Sequence, residues 1–272
     1  MHISLIGATK AMEAISNYTN NGLMQEALQR IKKVASSEVS VVICGERGTG
    51  KEWAARLIHE MSGRSFGPFC AFDCVAVQAE NFDKELLGYE SISWDGIEIR
   101  KGALEEAAEG TLMIDDANGL PTGSLQRIAR LVEHQTFRRI GGSHDIPLRA
   151  RVIATVTEME KGNGNMGDLR EEFFYRMGAI SIELPPLRKR RDDIPLLVRN
   201  FLLEFETKQN LATKGISEEA LQLCAEYHWP GNVRQLKSAI EYAAIISDHQ
   251  VIFPDHLPAI VTAKKAAKVH RG

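Results

Sequence analysis

The run Gly45-Glu46-Arg47-Gly48-Thr49-Gly50-Lys51 fits the pattern G-x-x-x-x-G-K, and it stands between a β-branched run, Val39 to Ile43, and a helical stretch, Glu52 to Met61. Its glycines let the backbone fold back so that successive N–H groups point at a polyphosphate. The helix that follows adds the positive end of its dipole, and Lys51 adds a full charge for the β and γ phosphates. The geometry works only if a buried strand feeds the loop and a helix leaves it. It therefore predicts an α/β P-loop domain whose ligands are ATP and Mg²⁺. Gly45, Glu46, Gly48, Thr49, Gly50, Lys51 and Glu52 are the candidate binding positions. Glu52 stands where many such loops carry the Ser or Thr that ligates the metal, which leaves Thr49 or water for that place.

Apolar residues recur at three- and four-residue spacing from Met24 to Ala35, an amphipathic helix leading into the first strand. Gly110 to Asp116 (GTLMIDD) and Leu148 to Thr155 (LRARVIAT) read as two more buried strands, with a helix near Gly123 to Glu133 between them. This alternation predicts a three-layer α/β/α sandwich on a parallel sheet. After Pro185-Pro186 the pattern turns helical over Asp192 to Lys208, Ser217 to Tyr227 and Val233 to Ile246. The expected organisation is therefore an α/β domain over residues 1–186 with a helical lead-in over 1–38. A small helical lid follows over 187–260, then a basic tail over 261–272.

Lys and Arg number 33 against 36 Asp and Glu, a formal charge of −3, so no overall basic field draws the chain onto DNA or an anionic membrane. The four cysteines form no CxxC pair and lack a nearby His at zinc spacing, which reads as buried reduced thiols. No apolar stretch approaches the ~20 residues of a membrane span, and the expected compartment is the cytoplasm.

Asp115 and Asp116 close the GTLMIDD strand. Asp115 is placed to hold Mg²⁺ directly or through water, and Asp116 to polarise the attacking water, unless the pair only caps the following turn.

Six runs stand together in order: GERGTGKE (Gly45 to Glu52), ELLGYE (Glu85 to Glu90), GTLMIDD (Gly110 to Asp116), LREEFFYRM (Leu169 to Met177), LPPLRKRRDDIPLL (Leu184 to Leu197) and WPGNVRQL (Trp229 to Leu236). With them the chain, from about Ile6 to Ile260, resembles the AAA+ central domain of bacterial enhancer-binding proteins, the sigma-54-dependent transcriptional activators. The resemblance implies a hexameric ring with ATP held between neighbouring subunits. It marks Arg170 and Arg176 as candidates to reach the next subunit's γ-phosphate, and Arg234 as the lid arginine that senses the phosphates. Each of the three is otherwise an ordinary surface charge.

The sequence also departs from that family. The GAFTGA loop that contacts sigma-54 is replaced by Ser91 to Ile99 (SISWDGIEI), in which Trp94, Ile92, Ile97 and Ile99 form either a different contact tip or a shortened hairpin. The second acid of the family's Asp-Glu pair is Asp116, one methylene shorter. The family's switch Asn is Asp73, and its sensor motif ATN falls on Ala154-Thr155-Val156. All three changes touch water activation and spare the groups that hold phosphate. A displacement of about 1 Å at such a site costs roughly 100-fold in rate. Neither the receiver domain nor the helix-turn-helix of the family lies within these residues, and Lys264, Lys265, Lys268 and Arg271 of the tail are solvated or touch phosphate weakly.

The resulting expectation is an ATP-binding, ring-forming regulatory subunit, assembling with itself or with a full-length relative. Its hydrolysis is slowed, it has no direct sigma-54 contact, and it binds no DNA or membrane by itself. An active ATPase remodelling another protein partner is the alternative.

Overall fold

The computed structural model describes residues 19–78, 80–94, 96–157, 177, 180–209, 214–248 and 250–262. Helix α1 runs Gly22–Ala35. It starts two residues before the periodicity does, because the Asn21 side-chain oxygen accepts from the N–H groups of Leu23 (3.1 Å) and Met24 (3.4 Å) and caps its first turn. Its last turn is held from outside. Arg151 donates to the carbonyls of Val34 (2.7 Å), Ala35 (3.3 Å) and Val39 (3.3 Å), a buried cation on the negative end of the helix. Burial lowers the pKa of that guanidinium, and the carbonyls are its compensation.

Strand β1 (Val41–Gly45) is buried at every position and gives way through the glycine loop to α2 (Lys51–Glu60). There follow β2 (Phe69–Asp73), α3 (Phe82–Leu87), β3 (Tyr89–Ser93), β4 (Gly96–Arg100), α4 (Ala103–Glu106) and β5 (Thr111–Asp115). Then come α5 (Thr122–His134), the two-residue pair β6 (Thr136–Phe137) and β7 (Ile146–Pro147), β8 (Arg151–Thr157) and β9 (Ile180–Glu183). The main sheet has the order β2-β5-β8-β1-β9, and every pairing in it is parallel. The register sets Val41 beside Ile153 and Ile114 beside Ala154, so the ends of β1, β5 and β8 lie together on the carboxyl edge. Ligands of open parallel sheets bind outside that edge.

The inner strands read as unbroken apolar runs because both faces are covered. Leu112, Ile114, Val152 and Ala154 meet Phe82, Leu86 and Ile128 in one core, and Phe72 stands edge-on to Phe82 at 5.3 Å. Burying each such aliphatic or aromatic side chain contributes about 1.5–3 kcal/mol.

Residues 27–45 and 51–184 make one compact unit. Of the described residues, 19–26, 46–50 and 185–262 make the second. In the second, α6 (Ile194–Gln209), α7 (Glu218–Glu226) and α8 (Asn232–Ile246) close over Trp229, which is fully buried. The Trp229 indole N–H donates to the Cys224 carbonyl at 2.6 Å, and Tyr227 stands edge-on to it at 5.0 Å. Among the described residues, no helix is long and apolar enough to cross a membrane.

Candidate functional site

The phosphate-loop residues 46–50 belong to the second unit through hydrogen bonds with the lid. The Arg47 carbonyl accepts from Asn232 Nδ2 (3.0 Å), the Gly48 carbonyl from the N–H groups of Val233 (2.9 Å) and Arg234 (3.3 Å), and the Thr49 carbonyl from Arg190 (2.8 Å). In a trans peptide the N–H points opposite to the C=O. Drawing these carbonyls to one side therefore turns the paired N–H groups to the other. Those of Gly48 and Gly50 have no acceptor among the described residues. Gly48 lies at φ +81°, and a Cβ there would sit 2.3 Å from the Gly231 carbonyl oxygen. Gly50 lies at φ +105° with open space where a Cβ would point. The first glycine is required by close backbone approach, the second by conformation.

Glu46 serves the lid side of the loop. Its carboxylate takes two bonds from Arg188, both 2.6 Å, and one from Asn232 Nδ2 (3.2 Å). Arg188, with Asn232 in support, holds its pKa below the usual carboxylate range. Asn232 is itself fully buried, accepts from the Leu187 N–H at 2.8 Å, and adopts a left-handed φ of 51°. Trp229, three residues earlier, has φ 49°. Two left-handed non-glycine residues within WPGN are a local strain of about 1–2 kcal/mol each, held where the lid meets the loop. Arg234 is exposed, and its guanidinium has no hydrogen bond or ion pair among the described residues. Thr49 is buried and donates to the Glu46 carbonyl at 2.9 Å.

In the first unit Lys51 opens α2 almost wholly buried, its ammonium donating to the Gly45 carbonyl (3.0 Å) and to the Thr157 hydroxyl (2.9 Å). The Thr157 hydroxyl donates a hydrogen bond to the Asp116 carboxylate, while the Thr155 hydroxyl donates to Asp115 and accepts from the Asp116 N–H at 2.9 Å. Asn118 fixes Thr157 at both backbone atoms, accepting from its N–H (3.0 Å) and donating to its carbonyl (3.3 Å). Asp116 sits in the left-handed region, φ 54° and ψ 48°. Asp73, beside Asp115 in the sheet register, accepts from the N–H groups of Val75 (2.9 Å) and Ala76 (3.2 Å) and closes a turn. Next to it the Cys74 thiol is pushed up to about 12 by burial and then by Asp115, Asp73 and Asp116, so it is protonated and inert.

Sequence reasoning missed Thr157, the side chain that meets Asp116, one residue beyond the Ala154-Thr155-Val156 stretch. It also missed the lid contacts of Arg188, Arg190 and Asn232. Glu52 is exposed and pairs with Arg56 one turn on, at 2.9 Å. Arg170, Arg176 and the tail residues Lys264, Lys265, Lys268 and Arg271 lie outside the described residues. The SISWDGIEI segment forms the antiparallel β3–β4 hairpin, with Trp94 at the tip 95% exposed and Ile97 66% exposed. Its base is fixed by Arg139, which bridges Glu90 (2.8 Å) and Glu105 (2.6 Å).

Within the second unit, the loop offers two unanswered N–H groups and left-handed glycines, the donor arrangement that a polyphosphate needs. Among the described residues no cluster of three or more His, Cys, Asp or Glu could hold a metal by itself. A Mg²⁺ ion commonly relies on one or two carboxylates together with phosphate oxygens, and Asp115 is the carboxylate suited to that part.

A Sigma-54 interaction domain matches residues 18–183, and an AAA+ ATPase lid domain matches residues 188–271. Regulatory protein AtoC of Escherichia coli (strain K12) is 37% identical over 241 residues, 88% of this chain and 52% of that protein. The DNA-binding transcriptional regulator NtrC of Proteus hauseri is 35% identical over 251 residues, 91% of this chain and 53% of that protein. The chain thus spans about half the length of these relatives. Among solved structures, NtrX from Brucella abortus in complex with ATP superposes with a TM-score of 0.78 at 27% identity, covering 97% of this chain and 63% of that one. Its complex with ADP gives 0.77 at 27% identity, covering 93% and 60%. The chain belongs to the sigma-54-interaction family of AAA+ transcriptional regulators.

Proposed function

We propose that the chain binds ATP with Mg²⁺ through the loop Gly45 to Lys51 and acts in transcription as a regulatory subunit that holds nucleotide and turns it over slowly. The observation that carries this reading is the contrast between two sets of groups. Those that would hold phosphate are Lys51 and the N–H groups of Gly48 and Gly50; the two N–H groups have no acceptor among the described residues. The acid that would activate water, Asp116, is short and already accepts a hydrogen bond from the Thr157 hydroxyl. The ATP and ADP complexes of NtrX support a nucleotide here by kinship. Asp115 would hold the metal, Arg234 would approach the phosphates from the lid, and Arg170 or Arg176 would complete a neighbour's site in a ring. When bound, Mg²⁺ supplies charge neutralisation across the phosphates.

The ring is formed with further copies or with a full-length relative in the cytoplasm. The segment Ser91 to Ile99 carries no GAFTGA sequence, which supports a subunit without direct sigma-54 contact. The test is sedimentation with Mg·ATP over a concentration series, alone and with such a relative, with phosphate release measured in parallel. Assembly with little release supports the proposal, and a strict monomer in both settings overturns it. A second reading rests on Trp94, whose exposed ring suits capture of another protein by an active ATPase. Phosphate release that rises with concentration and is abolished by Lys51→Ala would favour it.

A further inference from the structure

Arg190 is buried to 4% exposure, yet no carboxylate is hydrogen-bonded to it. One Nη donates to the Thr49 carbonyl at 2.8 Å and the other to the Met24 sulfur at 3.4 Å, while Nε has no acceptor. Asp193, fully buried, lies close enough to favour the charged guanidinium against its burial. That carboxylate spends its hydrogen bonds on the start of the lead-in. It accepts from the Thr19 hydroxyl at 2.7 Å and from the Asn20 N–H at 2.9 Å. Asn21 Nδ2 adds a bond to the Lys189 carbonyl at 3.2 Å, and Thr19 Oγ1 accepts from the Asn21 N–H at 2.9 Å. One short segment, residues 189–193, thus touches both the phosphate loop and the residues that begin α1.

We propose that Arg190 is a positioning residue of the phosphate loop and that, through Asp193, it couples nucleotide occupancy to the order of the Thr19–Asn21 segment. The coupling runs through one peptide unit. The Thr49 carbonyl that receives Arg190 shares its peptide with the Gly50 N–H, a group that faces phosphate on the ATP-binding reading above, on which this inference rests. An anion on that N–H polarises the peptide and strengthens its carbonyl as an acceptor, because hydrogen bonds in a chain reinforce one another. A buried cation short of partners gains from a firmer acceptor and from the phosphate charge itself. Arg190 is then held more tightly, and the turn carrying Asp193 with it. Phosphate on the loop orders the lead-in, and ordering the lead-in by the same amount favours phosphate.

The experiment is amide hydrogen exchange of the full chain with and without Mg·AMPPNP, with affinity measured in parallel. In the unaltered protein, saturating analogue slows exchange over residues 20–25 by about tenfold. Arg190→Gln weakens analogue binding by about tenfold and, at saturation, removes the protection over 20–25. Thr19→Val, which deletes one hydroxyl and leaves the loop contacts intact, loses most of that protection and weakens analogue binding by no more than the same factor of about ten. Protection that persists in Arg190→Gln or in Thr19→Val overturns the coupling, as does unaltered protein that binds analogue with no change over 20–25. Failure of the unaltered protein to bind analogue overturns the ATP-binding reading, and the coupling with it.

Discussion

Thr157 donates its hydroxyl proton to the carboxylate of Asp116, and through the same oxygen it accepts from Lys51. One hydroxyl therefore stands between the cation proposed to bind phosphate and the acid proposed to activate water. Asp116 also lacks a methylene relative to the glutamate of the family that the sequence resembles. Asp116→Glu extends the carboxylate past Thr157, and phosphate release from Mg·ATP is expected to rise by about 10- to 100-fold. The variant is also expected to be less stable by roughly 1 kcal/mol, because glutamate tolerates the left-handed backbone at 116 less well than aspartate. Release unchanged from the parent would mean that the missing methylene does not limit turnover.

Asn232 holds the loop, the lid and the Leu187 turn at once. Asn232→Ala strands the buried Leu187 N–H and the Arg47 carbonyl and places alanine at a φ of 51°. The expected loss is about 3 kcal/mol, seen as a lower urea midpoint at unchanged slope. Asn232→Gly relieves the backbone strain and should recover roughly 1 kcal/mol of it.

Much of this was legible in the chain. The β1, loop and α2 unit announced itself because each part demands the next. The lid helices showed because their apolar stripes recur at helical spacing. Strands β2 and β9 gave no signal in the apolar pattern because they are edge strands: FCAFD and ISIE each bury a single residue, so neither gives a continuous apolar run. Thr157 escaped for a different reason. A hydroxyl at the end of an apolar run reads as the end of a strand, and only the pairing of β5 with β8 brings it to Asp116. Asp73, at the position of the family's switch Asn, closes the turn at Val75 and Ala76 with its carboxylate, a local contact that the resemblance alone did not mark. The clamp of Arg188, Arg190 and Asn232 on the loop is long-range in sequence, and no local pattern marks it.

His59 sets a pH dependence. Its ring lies 2.9 Å from the Thr111 hydroxyl, and burial, followed by Arg151 and Arg56, lowers its pKa from the usual 6.5. Below pH 6.5 the unfolded chain takes up this proton before the folded one does. Stability from this group is thus complete above that value and is lost as pH falls toward the folded pKa. The melting temperature should drop on acidification from pH 7.5 to about 5.5, and His59→Gln should flatten that slope. An equal slope in the variant would place the titration elsewhere.

The claim on which the rest depends is that the loop Gly45 to Lys51 holds nucleotide. The direct measurement is the melting temperature with and without Mg·ATP, in parallel with Lys51→Ala. Ligand at about 100 times its Kd adds roughly 2.7 kcal/mol, so the parent protein should melt several degrees higher with Mg·ATP while Lys51→Ala does not move. Coincident curves for the parent with and without nucleotide would contradict the account.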